Sequence, residues 1–220
     1  MNNKRIVVAV DGPAGAGKST ISKRVAKILN LEYIDTGAMY RALTLKILRK
    51  GINPKDVTKI IEVMEETIIF FKNNHIYLDG TKVDEEIRKN IVNKHVSEIS
   101  KIGKVREKMV DMQRKLSEST NVIMDGRDIG TVVLPHANYK FFITASVEER
   151  ARRRYKELLE RGEKNISYDQ VLSDIKERDR IDSTRQIAPL KKSPDALVID
   201  TTNKTIDECV NQIIGIIEGR

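Results

Sequence analysis

The apolar run Ile6 to Val10, followed after Asp11 by Gly12-Pro13-Ala14-Gly15-Ala16-Gly17-Lys18-Ser19, constrains this chain more than anything else in it. The run reads as a buried strand, and Ser19 to Leu29 carries Ile21, Val25, Ile28 and Leu29 at helical spacing. A strand, a glycine-rich turn and a helix start together make an anion cradle. Backbone N–H groups converge on phosphate, and the helix N-terminus adds partial positive charge. Glycines at 12, 15 and 17 let the chain turn tightly with no Cβ in the ligand's way. Lys18 is placed to reach β- and γ-phosphates, and the Ser19 hydroxyl to bind Mg²⁺. A glycine-rich turn that merely happens to carry Lys-Ser is the plainer reading, but it leaves the flanking strand and helix signals unexplained.

The rest of the chain continues the alternation. Tyr33 to Asp35, Val122 to Met124, Tyr139 to Thr144 and Ala196 to Asp200 read as short strands. Met39 to Arg49, a segment capped by Ser146, Ser167 to Ser183 and Thr205 to Glu218 read as helices. Ser146 with Glu149 has the spacing of a capping box. Strands alternating with helices predict a parallel sheet covered on both faces. One stretch departs from this pattern. Thr67 to Lys72, His75 to Leu78 and Thr81 to Val83 are separated by Asn73-Asn74 and Asp79-Gly80, which predicts a small antiparallel meander. Helices at Lys55 to Glu66 and Ile91 to Ile102 flank it, so Gly51 to about Ser100 reads as an insertion between core elements.

Composition narrows the class. Cys209 is the only cysteine, which excludes an internal disulfide and predicts a buried apolar residue on the last helix. No apolar run approaches the ~20 residues that cross a bilayer, and the N-terminus is too short for a signal peptide, so a cytoplasmic protein with no membrane partner is expected. His75, His95 and His136 lack metal-ligand spacing. The net charge of +8 admits nucleic-acid binding or a site for several phosphates. Aromatic content of 5% with no Trp argues against a base-stacking surface. A nucleic-acid-stimulated ATPase is therefore the weaker alternative, one that would bind polynucleotide with steep salt dependence.

Three polar segments point to the reaction. Asp125-Gly-Arg127-Asp128 follows a buried strand and so emerges at the carboxyl end of the sheet, where ligands bind in open α/β folds. Asp125 suits the acid that holds a Mg²⁺ shell through water, and Arg127 and Asp128 can face a second ligand. Asp35 to Arg41 also follows a strand. Thr36 suits a helix cap, and Arg41, one turn in, can turn back toward a phosphate. Arg178, Asp182 and Arg185 share one helical face at i, i+4, i+7. Alone, that pattern would read as an exposed ion-pair ladder; beside a phosphate loop it reads as charge neutralisation for a transferred phosphoryl group. Arg150, Arg153 and Arg154 share a face of the preceding helix. The two helices, joined near Gly162, could close over the site and exclude water, although a solvated charged helix gives the same pattern.

GPAGAGKST, DTGAMYRAL, VSEIS with VRE, MDGRDIGTVV, ASVEERARRR, IKERDRIDSTRQIAPL and ALVIDTT together resemble the bacterial cytidylate kinases, phosphate-loop nucleoside monophosphate kinases, over nearly the whole chain. The phosphate loop is generic; DTGAMYR, DGRDIGTVV and ERDRIDSTR are the specific pieces. The resemblance implies an α/β fold with a five-stranded parallel sheet flanked by helices, a lid, and an α+β monophosphate-binding insert. It implies a single kinase chain with a core at 1–50, 101–146 and 184–220, the insert at about 51–100 and the lid at about 147–183. It implies transfer of the γ-phosphate of ATP to CMP or dCMP with Mg²⁺. The expected partners are these nucleotides rather than nucleic acid, and a monomer is expected.

The resemblance also allots roles. Residues Gly12, Pro13, Ala14, Gly15, Ala16, Gly17, Lys18, Ser19 and Thr20 would hold ATP, joined by lid arginines among Arg150, Arg153 and Arg154. Thr36, Arg106, Asp128 and Arg185 fall where the family contacts cytosine. Ser97, Arg178 and Asp182 fall where it contacts the sugar, and Arg41 and Arg127 where it grips the CMP phosphate. Lys18, Arg127, Arg178 and Arg185 would stabilise the transition state, and Ser19 and Asp125 would serve the metal. Thr36 replaces the Ser of some relatives but keeps the hydroxyl. A phosphate-loop kinase for another small acceptor is the nearest enzymatic alternative.

Overall fold

A computed structural model describes residues 5–118 and 120–219. Its contacts divide the chain into two compact units, Met1–Tyr33 with Thr120–Arg220, and Ile34–Ser119.

The larger unit is built on a five-stranded parallel sheet. Its strands are β1 (Val7–Asp11), β2 (Glu32–Asp35), which ends across the unit boundary, β6 (Val122–Gly126), β7 (Tyr139–Thr144) and β8 (Leu197–Asp200). They run in the order β2-β6-β1-β7-β8. β1 is central and pairs in parallel with β6 and β7. All five of its residues are buried, as a strand covered on both faces requires. The helices of this unit are α1 (Lys18–Leu29), α6 (Val147–Glu160), α7 (Tyr168–Thr184) and α8 (Ile206–Glu218). Ile21 and Val25 of α1 pack with Val8, Val10, Ile123, Phe141 and Ile143 of the sheet and with Cys209, Val210, Ile213 and Ile217 of α8. Cys209 is thus the buried apolar residue expected. α8 starts on a complete Thr205–Glu208 capping box. α6 has only half of one. Ser146 accepts from the Glu149 N–H, while the Glu149 carboxylate turns to Arg152 and Arg153 instead. α6 and α7 share a cluster of Ala151, Leu158, Val171 and Ile175.

The smaller unit holds α2 (Thr36–Arg49), α3 (Val57–Glu65), β3 (Ile69–Lys72), β4 (His75–Leu78), β5 (Thr81–Lys82), α4 (Asn90–Ser100) and α5 (Gly103–Leu116). The three strands form the antiparallel meander that the sequence predicts. Asn73, Asn74, Asp79 and Gly80 all have positive φ, the conformation that tight hairpin turns need and that Asn, Asp and Gly tolerate best. The core runs from Met39, Leu43 and Ile47 through Ile60, Ile76 and Leu78 to Ile99, Val105 and Met109. α5 was not expected. It is so rich in Lys, Arg and Glu that its buried stripe of Val105, Met109 and Val110 is thin.

The start of α2 differs from expectation. α2 begins at Thr36 rather than Met39, and Asp35 is its cap, accepting from the Ala38 N–H at 2.9 Å. Thr36 is therefore the first helical residue and is buried. Aspartate competes well with threonine for a cap position, and here it stands one residue earlier. Among the described residues no helix is long and apolar enough to cross a membrane.

Candidate active site

In the larger unit, β1 delivers the chain into the glycine loop, and its glycines carry the geometry. Gly12, Gly15 and Gly17 have φ of 147°, 77° and 90°. A Cβ at Gly12 would overlap the carbonyl oxygen of Ile143, so only glycine fits there. α1 then starts at Lys18 with Gly17 as its cap and no side chain on its first N–H groups. Unsatisfied N–H groups at such a turn and helix start are suited to an anion. Lys18 is buried and donates to the Pro13 carbonyl at 2.7 Å. Burial first, then the like charge of Arg127, pull its pKa well below the usual lysine range, with Asp125 opposing. Ser19 donates to Asp125 at 2.8 Å, and Tyr33 donates to the other Asp125 oxygen at 2.9 Å. Thr20 is exposed on the first turn of α1.

Asp125 is the penultimate residue of β6, opposite Val10 of β1, and the chain beyond Gly126 turns over the sheet edge. Arg127 donates through Nε to Asp182 of α7 at 2.8 Å. Burial opposes both charges, but their mutual attraction wins: Asp182 is held below the usual carboxylate range, with Arg178 and Arg185 adding to Arg127, and Arg127 is raised. Asp128 is buried and accepts from Arg185 at 3.4 Å, and Arg185 also donates to the Ala188 carbonyl at 2.6 Å. Arg185 lies just past α7 as its cap, in extended conformation, so it does not share a helical face with Arg178 and Asp182 as the spacing predicts; the chain leaving the helix carries it to Asp128 instead. The larger unit thus brings Lys18, Asp125, Arg127, Arg178 and Asp182 within one another's electrostatic reach.

The three arginines of α6 have different fates. Arg150 is buried and donates to the carbonyls of Ala145 and of Ala14 in the glycine loop, and it pairs with Asp179 of α7 at 2.7 Å. It props the loop rather than lying free on a helix face. Arg153 donates to Glu149 and to Thr201. Arg154 pairs with Glu157 on its own helix.

In the smaller unit, Arg41 folds back onto the start of α2 and pairs with Asp35 at 2.8 Å. Among the described residues its Nε is buried with no hydrogen-bond partner, a donor suited to an anionic ligand. Ser97 is buried on α4, and its carbonyl accepts from the Ser100 hydroxyl. Arg106 of α5 is buried, donates to the Ser100 carbonyl at 3.0 Å and lies over the Tyr40 ring.

One residue at this site escaped the sequence reading. Asp11, the last residue of β1, is buried and accepts from the Ile129 and Gly130 N–H groups, both at 2.7 Å. The available signal was an acid placed directly between a buried strand and the glycine loop.

The family model for cytidylate kinase matches residues 8–219. The chain belongs to the cytidylate kinase family. It is 53% identical to a cytidylate kinase of Caldanaerobacter subterraneus over 97% of this chain and 95% of the other. It is 54% identical to one from Clostridioides difficile over 95% and 96%. A solved gluconokinase from Sinorhizobium meliloti, only 11% identical, superimposes with a TM-score of 0.52 over 97% of this chain and 93% of its own, which shows a shared fold. The cytidylate kinase family thus accounts for both the phosphate loop and the DGRD and ERDRID segments gathered near it.

Proposed function

We propose that this chain transfers the γ-phosphate of ATP to CMP or dCMP, giving ADP and CDP or dCDP, by direct in-line displacement with Mg²⁺. The observation that carries the reading is the convergence of Lys18, Asp125, Arg127 and Arg178 at the carboxyl ends of β1 and β6, in a chain of the cytidylate kinase family. A cradle of N–H groups beside a buried lysine and convergent, partly buried arginines suits two polyanionic substrates.

Ser19 and Asp125, already hydrogen-bonded, offer hard oxygen donors of the kind Mg²⁺ shares with nucleotide phosphates. Bound there, the ion would neutralise charge on the β- and γ-phosphates. An oxygen of the monophosphate attacks the γ-phosphorus as the bond to the β-bridging oxygen breaks. No covalent intermediate is needed, since positioning and charge neutralisation suffice. Burial and the neighbouring arginines lower the Lys18 pKa beside the loop, and the negative charge of an arriving triphosphate would favour its charged form. Arg127, Arg178 and Arg185 would take up charge on the transferring group.

The remaining assignments follow the same reading. In the larger unit the loop residues Gly12 to Thr20 hold ATP, Asp128 and Arg185 read the base, and Asp182 meets the sugar. In the smaller unit Thr36 and Arg106 read the base, Ser97 meets the sugar and Arg41 grips the monophosphate. Residues 147–183 act as the lid and 51–100 as the monophosphate-binding insert. Arg153 and Arg154 exchange their present carboxylate partners for ATP if the lid closes, whereas Arg150 acts through the Ala14 carbonyl.

Cytosine presents an amine to Asp128, where uracil would set an oxygen against the carboxylate. A coupled assay with CMP, dCMP, UMP and AMP tests this. UMP is expected to lose about 10- to 100-fold in kcat/KM relative to CMP. Equal rates for UMP and CMP would refute the base reading, and no transfer to any of the four would refute the kinase reading.

A further inference from the structure

The geometry points to Asp11 as a positioning residue for the monophosphate: it caps the Ile129–Val133 turn in place of Asp128, leaving the Asp128 and Arg127 side chains aimed at the acceptor nucleotide. The inference rests on the reading that Arg127 and Asp128 hold CMP.

Residues Ile129–Val133 form one turn of π-helix, and Asp128 occupies its cap position. An aspartate there ordinarily turns its own carboxylate onto the first N–H groups of the helix. Asp128 makes no such bond; φ −145° and ψ 26° carry its side chain elsewhere, to Arg185. The first N–H groups are instead taken by Asp11, 118 residues earlier in the chain, one by each carboxylate oxygen. Within the turn the later N–H groups of Val132 and Val133 return to the Asp128 carbonyl.

Two features make this arrangement deliberate in its geometry. Asp11 sits on the central strand, held between β6 and β7 in register with Gly126 and Phe142, so it is the fixed partner and the turn is the part it restrains. Gly130 supplies the clearance. A Cβ there would lie 3.3 Å from an Asp11 carboxylate oxygen and 3.2 Å from Lys140 Cδ, tighter than ordinary packing. Because Asp11 directly precedes Gly12, a single carboxylate ties the strand that leads into the ATP cradle to the segment that carries the acceptor-binding Arg127 and Asp128. Its contribution is orientation, since it reaches backbone rather than substrate.

Asp11→Asn keeps the size but replaces one acceptor by an N–H donor facing an N–H. Gly130→Ala, at a φ that alanine tolerates, crowds the same contact from the other side. Each single variant is expected to raise KM for CMP about tenfold, with kcat and KM for ATP changed less than about threefold. The double variant is expected to be no worse than the more impaired single, because both break one contact. Arg127→Ala, run alongside, is expected to raise KM for CMP in its own right. An unchanged CMP KM in Asp11→Asn, or a loss confined to kcat that follows the fraction of folded protein, overturns the positioning role. Additive effects in the double variant overturn it as well. If Arg127→Ala leaves KM for CMP unchanged, the CMP-binding reading itself falls and the inference falls with it; if Arg127→Ala weakens CMP and Asp11→Asn does not, only the inference falls.

Discussion

The same carboxylate makes a signed prediction about stability. Burial pushes the Asp11 pKa from about 3.8 up to about 6, against the two backbone N–H groups, with Asp128 adding and Lys18 opposing. A folded-state pKa above the unfolded one means that the folded protein binds more protons between these values, so stability from this group rises as pH falls through 6 and is lowest above it. Integrating proton binding from pH 7.5 to 5 with these two pKa values gives a gain of about 1.4 kcal/mol. Asp11→Asn has no such proton to bind. The difference in stability between wild type and Asp11→Asn should therefore shift toward wild type by that amount, while groups common to both largely cancel. For a chain of this length the shift corresponds to about 4 °C in the difference between the two melting temperatures. Thermal melts followed by circular dichroism at pH 7.5 and pH 5 read it directly. A difference that is flat with pH, or that moves toward the variant as pH falls, refutes the argument that an ionised Asp11 is held at a stability cost. Above pH 6 the fold retains the charged form that accepts both N–H groups, and does so at the expense of its own stability.

Lys18→Ala should lower kcat by about 10²- to 10³-fold, the scale of losing a donor aimed at developing charge, while the melting temperature holds, because a desolvated cation is removed. Near-normal kcat would refute the role. Asp179→Asn leaves the Arg150 cation buried without its counter-charge, so unfolding free energy should fall by about 3 kcal/mol, and KM for ATP should rise because Arg150 also holds the Ala14 carbonyl. Urea titration together with ATP kinetics checks both; unchanged stability refutes the strut. Gly12→Ala combines a positive φ with overlap on the Ile143 carbonyl, so it should fail to yield folded protein by circular dichroism, and a folded, active variant would refute the geometry.

Most of the strands and helices were legible because burial here follows simple periods. β1 is apolar from Val7 to Val10 since it is covered on both faces, and the Asn73-Asn74 and Asp79-Gly80 turns announce themselves through residues that tolerate positive φ. α5 was hidden because three buried apolar residues among many charges give too thin a stripe to stand out. The cap of α2 fell to Asp35 rather than Thr36 because two good caps stood side by side and only tertiary context chose between them. The site shows a different limit. Arg150, Arg153 and Arg154 look equivalent on a helical face, yet one reaches a loop 136 residues away, one reaches Thr201, and one pairs along its own helix. Asp11 and Asp128 look like two polar residues at strand ends, yet one restrains backbone so that the other need not. In both cases the deciding quantity is which buried backbone group lacks a partner, and that is fixed by pairings between distant segments rather than by local spacing. A phosphate loop and its arginines can therefore be read as motifs, whereas the residues that aim them are found by following each buried N–H and carbonyl to whatever satisfies it.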